Sequence, residues 1–450
     1  MNWQRLREKI IQEFYPEEEE LHELESLYAE ISRYIQNKHG KKIHFAGSAS
    51  RHTCMKGDRD LDIFVLFDEN TSRKELEEEG ISIGKDIFKR FDGDYHVEYA
   101  EHPYTKGEIQ GKEVEVVPCY DVEPDNIKSS VDRTPHHSKW AKNNLKEQQK
   151  KDVVILKRFL TVKDLYGSSL KIEGFSGYLC EILIHHFGGF RELLEAASKW
   201  SKKEVVDPEN HHEDGLPAVL ADKFSADNLI VIDPVDPERN VASVMTREKY
   251  SEFIYHSIKF LNDQGMHHFK TEKEDYTQLE INNGLDGRFN FTVMEFEAPD
   301  EVDDIIYPQM RKTERRLVDL LEKNGFHVYS SGFQVEEKIR MYFETPEDLQ
   351  SVKFVEGPKM FHGKDHIKQF EQKYDNTFVE DDRLKAKTER EYMRPKEVIR
   401  DLPDEREQLE EEGVPENIAR KFVDRRFVDP VLDNQKWLNF LGEELHVNQK

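Results

Sequence analysis

The 450-residue sequence contains few cysteines, no long apolar segment and no excess of positive charge. Its three cysteines, Cys54, Cys119 and Cys180, are widely separated and form no C-x-x-C pair. This argues against a disulfide framework or a cysteine-based zinc site and is typical of a reducing compartment. The apolar segments are too short to span a membrane, and the amino-terminal residues are too charged for a signal peptide. We therefore expect a soluble, cytoplasmic protein with no membrane partner.

Positive charge is scarce overall: 66 Lys and Arg residues stand against 92 Asp and Glu residues, a formal net charge of −26. A nucleic-acid-binding protein usually carries a basic face, so the total charge argues mildly against RNA as a partner. The basic residues are nevertheless concentrated in three segments, 139–158, 311–316 and 385–396. These segments leave RNA binding open.

What the sequence does contain is a polar turn followed by a strand with two acidic residues. Residues 47–67 read GSASRHTCMKGDRDLDIFVLF, and residues 61–67 predict a buried strand. Asp60 and Asp62 are two positions apart, so they project from the same side of that strand. Neighbouring carboxylates repel each other unless a cation lies between them, and Mg²⁺ prefers such oxygen ligands. The pattern therefore indicates a Mg²⁺-dependent phosphoryl- or nucleotidyl-transfer site.

A second acidic strand follows further along the chain. Residues 113–120 read EVEVVPCY, an alternating pattern in which Glu113 and Glu115 share one face. If this strand lies beside the first, one of these glutamates completes a three-carboxylate cluster that can hold two metal ions. A lone D-x-D pair is more often a surface or capping feature, but the Gly-Ser turn and the second acidic strand favour the functional interpretation. The combination resembles the nucleotidyltransferase superfamily of DNA polymerase beta and the poly(A) polymerases.

A polar segment, VDRTPHHSKW at residues 131–140, precedes a predicted helical region. Arg133, Thr134, His136 and His137 beside a proline turn are polar enough to bind phosphates or a ribose. An ordinary solvated loop before a helix would have the same composition, and the segment alone favours that interpretation.

A turn that carries Arg239 follows the predicted strand at residues 229–232, within the sequence VIDPVDPERNVA. The guanidinium of Arg239 could read a base edge or a phosphate, because its donors form a rigid fork. Pairing with Asp233 or Asp236 on the surface is an equally good interpretation of these residues alone.

Several other polar residues have structural interpretations. Lys157 and Tyr166 are nine positions apart, so they face one cleft only if the helix between them bends or breaks; alone, they suggest a surface and a core residue. Ser176, in the sequence GFSGYLCE, is interpreted as a helix N-cap rather than a nucleophile. Three histidine pairs, at 185–186, 211–212 and 267–268, lack a second ligand pair at the spacing that zinc requires.

Helix and strand patterns alternate over the first part of the chain, which predicts one α/β catalytic domain with a small mixed sheet flanked by helices. From Trp140 to about Trp200 the pattern is helical. Beyond residue 270 it changes to strands around a helix at 308–324, and the last hundred residues predict charged helices. The predicted strands lie near residues 289–296, 327–333 and 338–344. We place three domains at residues 1–146, 147–265 and 266–450.

Six sequence blocks resemble, in order, the class I, archaeal-type CCA-adding enzymes, which are tRNA nucleotidyltransferases. The blocks lie within residues 45–245 and read GSASR…DLDIFVLF, EVEVVPCY, VDRTPHHSKW, LKRFL…YG, GFSGYLCE and DPVDPERNVA. Two looser blocks follow at residues 302–317 and 355–361. The resemblance implies an α+β multidomain fold with a polymerase-beta-like head, a helical central nucleotide-binding domain, an α+β tRNA-binding body and a helical tail.

The resemblance also implies an activity: addition of C, C and A to the 3′ end of tRNA from CTP and ATP, without a template, with Mg²⁺ as cofactor. It assigns the metal ligands to Asp60, Asp62 and Glu115. It assigns contacts with the incoming nucleotide to six residues, with Arg133 and Thr134 in support: Ser48 and Arg51 at the triphosphate, His137, Lys157 and Tyr166 at the phosphates and sugar, and Arg239 at the base edge. The implied partners are tRNA, bound at its acceptor stem and 3′ end, and a second copy of the chain in a homodimer.

The sequence departs from the family at one position, because the family generally has Asp where this chain has Glu115. The longer side chain puts the rate and the preferred metal in question more than the reaction. The sequence leaves two other interpretations open. The same carboxylates would serve a poly(A) polymerase or an oligoadenylate-type synthase, and a catalytically silent RNA-binding relative would retain the fold.

Overall fold

A computed structural model describes residues 2–99, 101–270, 275–288, 290–346 and 348–445. The chain divides into two compact units, residues 1–272 and residues 273–450. Among the described residues, no helix is both long and apolar enough to cross a bilayer.

The first unit contains nine helices and seven strands among its described residues. The helices are α1 (Trp3–Phe14), α2 (Glu18–His39), α3 (Arg73–Arg90), α4 (Arg133–Asn144), α5 (Glu147–Thr161), α6 (Gly177–Phe187), α7 (Phe190–Ala197), α8 (Ala218–Lys223) and α9 (Arg247–Asn262). The strands are β1 (Lys42–Phe45), β2 (Asp60–Phe67), β3 (Asp94–Tyr99), β4 (Pro103–Ile109), β5 (Lys112–Tyr120), β6 (Glu204–Val206) and β7 (Leu229–Val231).

A five-stranded mixed sheet, in the order β1-β2-β5-β4-β3, forms the head of this unit. Strands β2 and β5 are parallel, and the other pairs are antiparallel. Leu61, Ile63 and Val65 alternate along β2 and are buried in one core with the apolar residues of α2 and α3. The predicted mixed sheet flanked by helices is therefore confirmed, with strand β4 as an addition that the sequence reasoning missed.

The helical region that follows has its own core, formed mainly by α5, α6, α7 and α9. Helix α1 also packs here, because Leu6 and Ile10 are buried in this core and Arg7 Nε donates to Asp152 Oδ1 at 2.7 Å. The first helix of the chain therefore packs against the helical region rather than against the sheet.

The second unit contains a four-stranded antiparallel sheet and a separate three-stranded one among its described residues. Its helices are α10 (Gln278–Leu285), α11 (Asp303–Lys323), α12 (Lys364–Lys373), α13 (Pro395–Arg400), α14 (Arg406–Glu411), α15 (Glu416–Phe422) and α16 (Gln435–Glu444). Its strands are β8 (Asn290–Glu297), β9 (Ser330–Val335), β10 (Lys338–Thr345), β11 (Val352–Lys359), β12 (Thr377–Glu380), β13 (Arg383–Glu389) and β14 (Arg426–Val428). The predicted strands around a central helix are confirmed.

The prediction that the last hundred residues are helical is wrong in its first part. Strands β11, β13 and β12 form an antiparallel sheet there. Along β13 only Leu384 and Ala386 are buried, and the alternate positions carry Arg383, Lys385 and Lys387. This one-sided, lysine-rich sheet gives too weak an apolar alternation to be distinguished from a charged helix.

Candidate active site

The two acidic strands lie side by side at the centre of the head sheet. Strands β2 and β5 pair in parallel, with Asp60 opposite Glu113 and Asp62 opposite Glu115. Residues opposite each other in a sheet project to the same face. The register therefore brings Asp60, Asp62 and Glu115 together, as the sequence predicts, and adds Glu113 beside them.

A tight turn lies directly over Asp62. Gly47 has a φ of +66°, and a β-carbon at this position would lie 1.7 Å from Asp62 Oδ2, so only glycine fits. The Ser48 carbonyl accepts from the backbone N–H groups of Arg51 at 3.2 Å and Thr53 at 3.0 Å. The turn that carries Ser48 is thus fixed against the carboxylates.

The cluster is electrostatically strained. Burial raises the pKa of the Asp62 carboxyl to about 6, and the negative charges of Glu115 and Asp60 add to this effect. A cation at this face would relieve the repulsion, because it favours the ionised form of each carboxylate.

A lysine contacts the same cluster from the neighbouring strand. Lys106 on β4 lies opposite Glu115, and its Nζ is 2.7 Å from Glu113 Oε1 and 2.8 Å from Glu115 Oε1. Burial alone would lower the pKa of Lys106, but the hydrogen bonds to the two glutamates raise it. Lys106 therefore offsets part of the negative charge of the cluster, at Glu113 and Glu115.

The donor set is of the type that a hard divalent ion prefers, since several carboxylates lie on one face of the sheet next to the Gly47 turn. Over the described ranges, no three His, Cys, Asp or Glu side chains are already arranged as a ligand set. Lys106 binds Oε1 of Glu115 and Oε1 of Glu113 together, so a metal ion bound by Glu115 would share that carboxylate with the ammonium of Lys106.

A second cluster joins the VDRTPHHSKW segment to the turn after β7. His137 Nε2 lies 2.9 Å from Asp233 Oδ2, and Arg239 Nη1 donates to the same oxygen at 2.7 Å. The Tyr178 ring stacks on His137 with centroids 4.0 Å apart, and its hydroxyl donates to Asp233 Oδ1 at 3.4 Å. The structure thus brings His137 and Arg239, two predicted site residues, to one carboxylate.

The supporting residues of this segment contact the protein itself. Arg133 Nε donates to Asp236 Oδ2 at 3.0 Å, and His136 Nε2 lies 2.8 Å from the Val122 carbonyl. Thr134 lies in the first turn of α4, beside Arg133. The segment is a helix start packed on the Asp233 turn, not the solvated loop that its composition alone favoured.

A third cluster surrounds Arg51 behind the Gly47 turn. Arg51 Nε donates to Glu181 Oε1 at 2.9 Å and Arg51 Nη1 donates to Ser138 Oγ at 3.0 Å. Glu181 is fully buried, and Thr53 Oγ1 donates to the same Oε1 at 2.5 Å. Arg51 is therefore engaged inside the protein, where it connects the turn to helices α4 and α6.

Lys157 is buried as well, contrary to the surface position that its sequence suggested. Its Nζ donates to the Thr53 carbonyl at 2.8 Å and lies 5.8 Å from the centroid of the Tyr166 ring. Helix α5 ends at Thr161, and the left-handed Asp164 (φ 51°) turns the chain back, which brings Tyr166 towards Lys157. The helix break that this pair requires is present.

Other sequence-level interpretations have clear outcomes. The Ser176 hydroxyl accepts from the Leu179 N–H at 3.1 Å, which confirms it as the N-cap of α6. His211 Nε2 and His212 Nε2 lie 3.1 and 2.9 Å from the carbonyls of Pro234 and Pro237, so this pair supports the Asp233 turn.

Sequence reasoning missed the roles of Lys106, Tyr178, Glu181 and Asp233. Tyr178 and Glu181 lie in the GFSGYLCE block. This block contributes to the family resemblance, but the sequence assigns no role to either residue. Lys106 lies in a strand that was not predicted. For Asp233, the sequence indicates only a surface ion pair with Arg239.

Three family models match the chain. "Nucleotidyltransferase domain" covers residues 28–137, "tRNA nucleotidyltransferase, second domain" covers residues 151–270, and "CCA-adding enzyme, C-terminal domain" covers residues 287–427. The first model spans the strands with the carboxylates, and the second spans the turn with Asp233 and Arg239. The fold class predicted from sequence is confirmed.

Curated relatives match over most of the chain. The CCA-adding enzyme of Methanocaldococcus jannaschii is 36% identical over 89% of this chain and 90% of its own length. That of Archaeoglobus fulgidus is 33% identical over 89% of each, and that of Thermococcus gammatolerans is 32% identical over 99% of each. Among solved structures, a Cid1 poly(U) polymerase aligns with 58% of this chain and 94% of its own, at 12% identity and a TM-score of 0.46.

Proposed function

The chain belongs to the family of archaeal CCA-adding enzymes, and from this membership we propose how its residues perform the reaction. It is a nucleotidyltransferase that adds C, C and A to the 3′ end of tRNA from CTP and ATP without a nucleic-acid template. The observation that connects the activity to this molecule is the register of β2 with β5, which aligns Asp60 and Asp62 with two glutamates.

The reaction uses a divalent metal ion, as in nucleotidyltransferases generally, and Mg²⁺ is the proposed ion. Asp60, Asp62 and Glu115 are its proposed ligands. Bound divalent ions would make the tRNA 3′-hydroxyl a better nucleophile and neutralise charge on the departing pyrophosphate. The residues of the chain hold the reactants in line and supply little covalent chemistry of their own.

The incoming nucleotide would bind between the Gly47 turn and the Asp233 turn. Ser48, on the turn over Asp62, is the proposed triphosphate contact. His137 is the proposed phosphate and sugar contact, and Arg239, with 37% of its side chain exposed, the proposed base reader.

Arg51, Lys157 and Tyr166 belong to the same predicted nucleotide site. Arg51 and Lys157 are buried, and their cationic groups are bonded to Glu181 and to the Thr53 carbonyl. These contacts favour an indirect role, in which Arg51 and Lys157 hold the turn that presents Ser48 and do not contact the nucleotide themselves. Tyr166 would support this arrangement by packing against Lys157.

The second unit is the proposed site for the body of the tRNA. Helix α11 carries Lys312 and Arg315 beside Arg316 in one groove, where phosphates of the acceptor stem can bind. Such backbone contacts suit double-stranded RNA, which proteins recognise by shape and phosphate position.

A cytoplasmic location and a homodimer remain predictions. Sedimentation of the full chain tests whether it forms a homodimer.

The direct test is incorporation into tRNA that lacks its CCA end, with Mg²⁺ and CTP alone, ATP alone, or both. We expect two C residues with CTP alone and a single A after ATP is added. Asp62→Asn should reduce incorporation on the order of a thousandfold or more, because the cluster loses a metal ligand. Its tRNA affinity should stay within a few-fold, since most of the proposed contacts with tRNA lie in the second unit.

The alternatives predict other results in the same assay. A long A tract from ATP alone would place the chain with poly(A)-type enzymes. If neither the parent nor Glu115→Asp incorporated any nucleotide while tRNA still bound, the chain would be a silent RNA-binding relative. A parallel loss of tRNA binding in Asp62→Asn would show that Asp62 is structural.

A further inference from the structure

One buried carboxylate accepts hydrogen bonds from two residues of the proposed nucleotide site. Asp233 has no solvent exposure, and its Oδ2 is 2.9 Å from His137 Nε2 and 2.7 Å from Arg239 Nη1. Its Oδ1 accepts from the Val235 N–H at 3.0 Å and from the Tyr178 hydroxyl at 3.4 Å. Both oxygens are therefore engaged, and Asp233 itself is too deep to contact a ligand.

The backbone around Asp233 is fixed in turn. The Asp233 N–H donates to the Arg239 carbonyl at 3.0 Å, and the Arg239 N–H donates to the Asp236 carbonyl at 3.0 Å. His211 and His212 support the same turn through the carbonyls of Pro234 and Pro237. The position of the carboxylate is thus set by the fold and not by a mobile loop.

A fixed direction matters for a guanidinium that must choose between bases. Arginine has five N–H donors and no acceptor. Cytosine and adenine present an acceptor ring nitrogen on the pairing edge, where uracil and guanine present an N–H group. A mobile guanidinium would still find the O4 of uracil or the O6 of guanine, so rejection requires that the donor cannot move to them.

We propose that Asp233 is the positioning residue for nucleotide selection: it holds the Arg239 guanidinium and the His137 ring in one geometry, so that C and A are accepted and U and G are rejected. The inference rests on the proposed base-reading role of Arg239. Tyr178 completes the arrangement by stacking on His137 and donating to Asp233.

The test compares Asp233→Asn, Arg239→Ala and the double variant in the full chain, with tRNA lacking its CCA end. The readout is the ratio of kcat/KM for CTP to that for UTP, and for ATP to that for GTP, because a ratio is independent of the folded fraction. We expect Asp233→Asn to lower these ratios by about tenfold or more, the usual weight of a hydrogen bond to a charged group. The double variant should be no worse than Arg239→Ala.

Asp236→Asn is the matched control. Asp236 lies in the same turn, but its carboxylate binds Arg133 at 3.0 Å instead of Arg239 or His137. Its ratios should stay within about twofold of the parent, as expected for a partly exposed ion pair. An equal loss in Asp236→Asn would show that any disturbance of the turn relaxes selection, which would overturn the assignment to Asp233.

The remaining outcomes separate this inference from the proposed function. If Arg239→Ala lowers the ratios and Asp233→Asn does not, Asp233 has no positioning role, while Arg239 stays a base reader. If neither lowers them, both assignments fail. Should Asp233→Asn not fold, a cycle of His137→Gln and Arg239→Ala replaces it: non-additive losses of selection support coupling through Asp233, and additive losses overturn it.

Discussion

Asp62 and Asp233 belong to the same unit; Asp62 is half-buried and Asp233 is fully buried. Their neighbouring side chains shift the pKa values of the two carboxyls in opposite directions. Burial, Glu115 and Asp60 raise the pKa of Asp62 to about 6. Burial would also raise the pKa of Asp233, but the hydrogen bond and charge of His137, with Arg239, lower it. Asp62 has acidic neighbours that an added cation can neutralise, whereas Asp233 already has Arg239 and His137 as hydrogen-bond partners.

The difference shows how two aspartates of one unit would serve different tasks. A carboxylate among other carboxylates is suited to a metal ion, because the ion is the partner that the fold does not supply. A carboxylate with basic partners on the same chain directs those partners instead. The nearest side chains, rather than burial itself, therefore separate the proposed metal ligands from the proposed positioning residue.

The largest effect on stability should come from Asp233→Asn. Loss of the charged acceptor for His137 and Arg239 should lower the free energy of unfolding by about 2–3 kcal/mol at pH 7. Since the folded pKa of Asp233 lies below its unfolded value, this stability is present above the unfolded pKa and is lost as the pH falls through the folded one. Urea unfolding of the parent and the variant at pH 7 and pH 3 checks both statements. They would be contradicted if the difference in the free energy of unfolding were as large at pH 3 as at pH 7.

Lys157→Met should have the next largest effect. The variant keeps the buried volume but leaves the Thr53 carbonyl without its 2.8 Å donor, at a cost of about 2 kcal/mol. If Lys157 acts through the turn, kcat/KM should fall by the same factor for CTP and ATP. Lys150→Met on the same helix, which removes a surface pair with Glu147, is the control. A loss confined to nucleotide KM, with unchanged stability, would instead indicate a direct nucleotide contact.

Asp62→Asn should act on stability in the opposite direction to Asp233→Asn. Without added metal at pH 8, removing one of the clustered charges should raise the free energy of unfolding by about 1 kcal/mol. The folded pKa is raised, so the gain should shrink as the pH falls below about 6. Mg²⁺ should stabilise the parent more than the variant. A variant less stable than the parent without metal would show that Asp62 has a structural partner.

The smallest expected effect concerns Lys106. Its ammonium would compete with a metal ion at the proposed ligand Glu115, so Lys106→Met should lower the half-saturating Mg²⁺ concentration by about two- to fivefold. Calorimetric titration measures this without catalysis. The control is Lys42→Met on β1, which removes an exposed ion pair with Asp121 and should leave the half-saturating Mg²⁺ concentration unchanged. A higher half-saturating Mg²⁺ concentration in Lys106→Met would mean that the lysine orients Glu115 for the metal.

The carboxylate site could be predicted from sequence because its determinants are local. Asp60 and Asp62 on a strand, and Glu115 on a second one, need only the two-residue period and one parallel pairing to meet. Ser176 could be assigned as a cap for the same reason. The helical reading of residues 352–389 failed because charged side chains hide the alternation of β13.

The hydrogen-bonded cluster around Asp233 could not be predicted in this way. His137 and Arg239 are far apart in sequence, and only the packing of α4 and α6 against the turn after β7 brings both to Asp233. Lys157 suggested a surface residue because lysine is almost never fully buried. Its burial depends on the Thr53 carbonyl, which a different part of the chain supplies.

The most direct test of the account measures incorporation of each of the four nucleotides by the parent, Asp62→Asn and Asp233→Asn on the same tRNA lacking its CCA end. We expect Asp62→Asn to lose incorporation of C and A together. We expect Asp233→Asn to keep incorporating nucleotides but to admit U and G. Equal losses of rate in both variants, with base choice intact, would contradict the division between a metal-binding and a positioning aspartate.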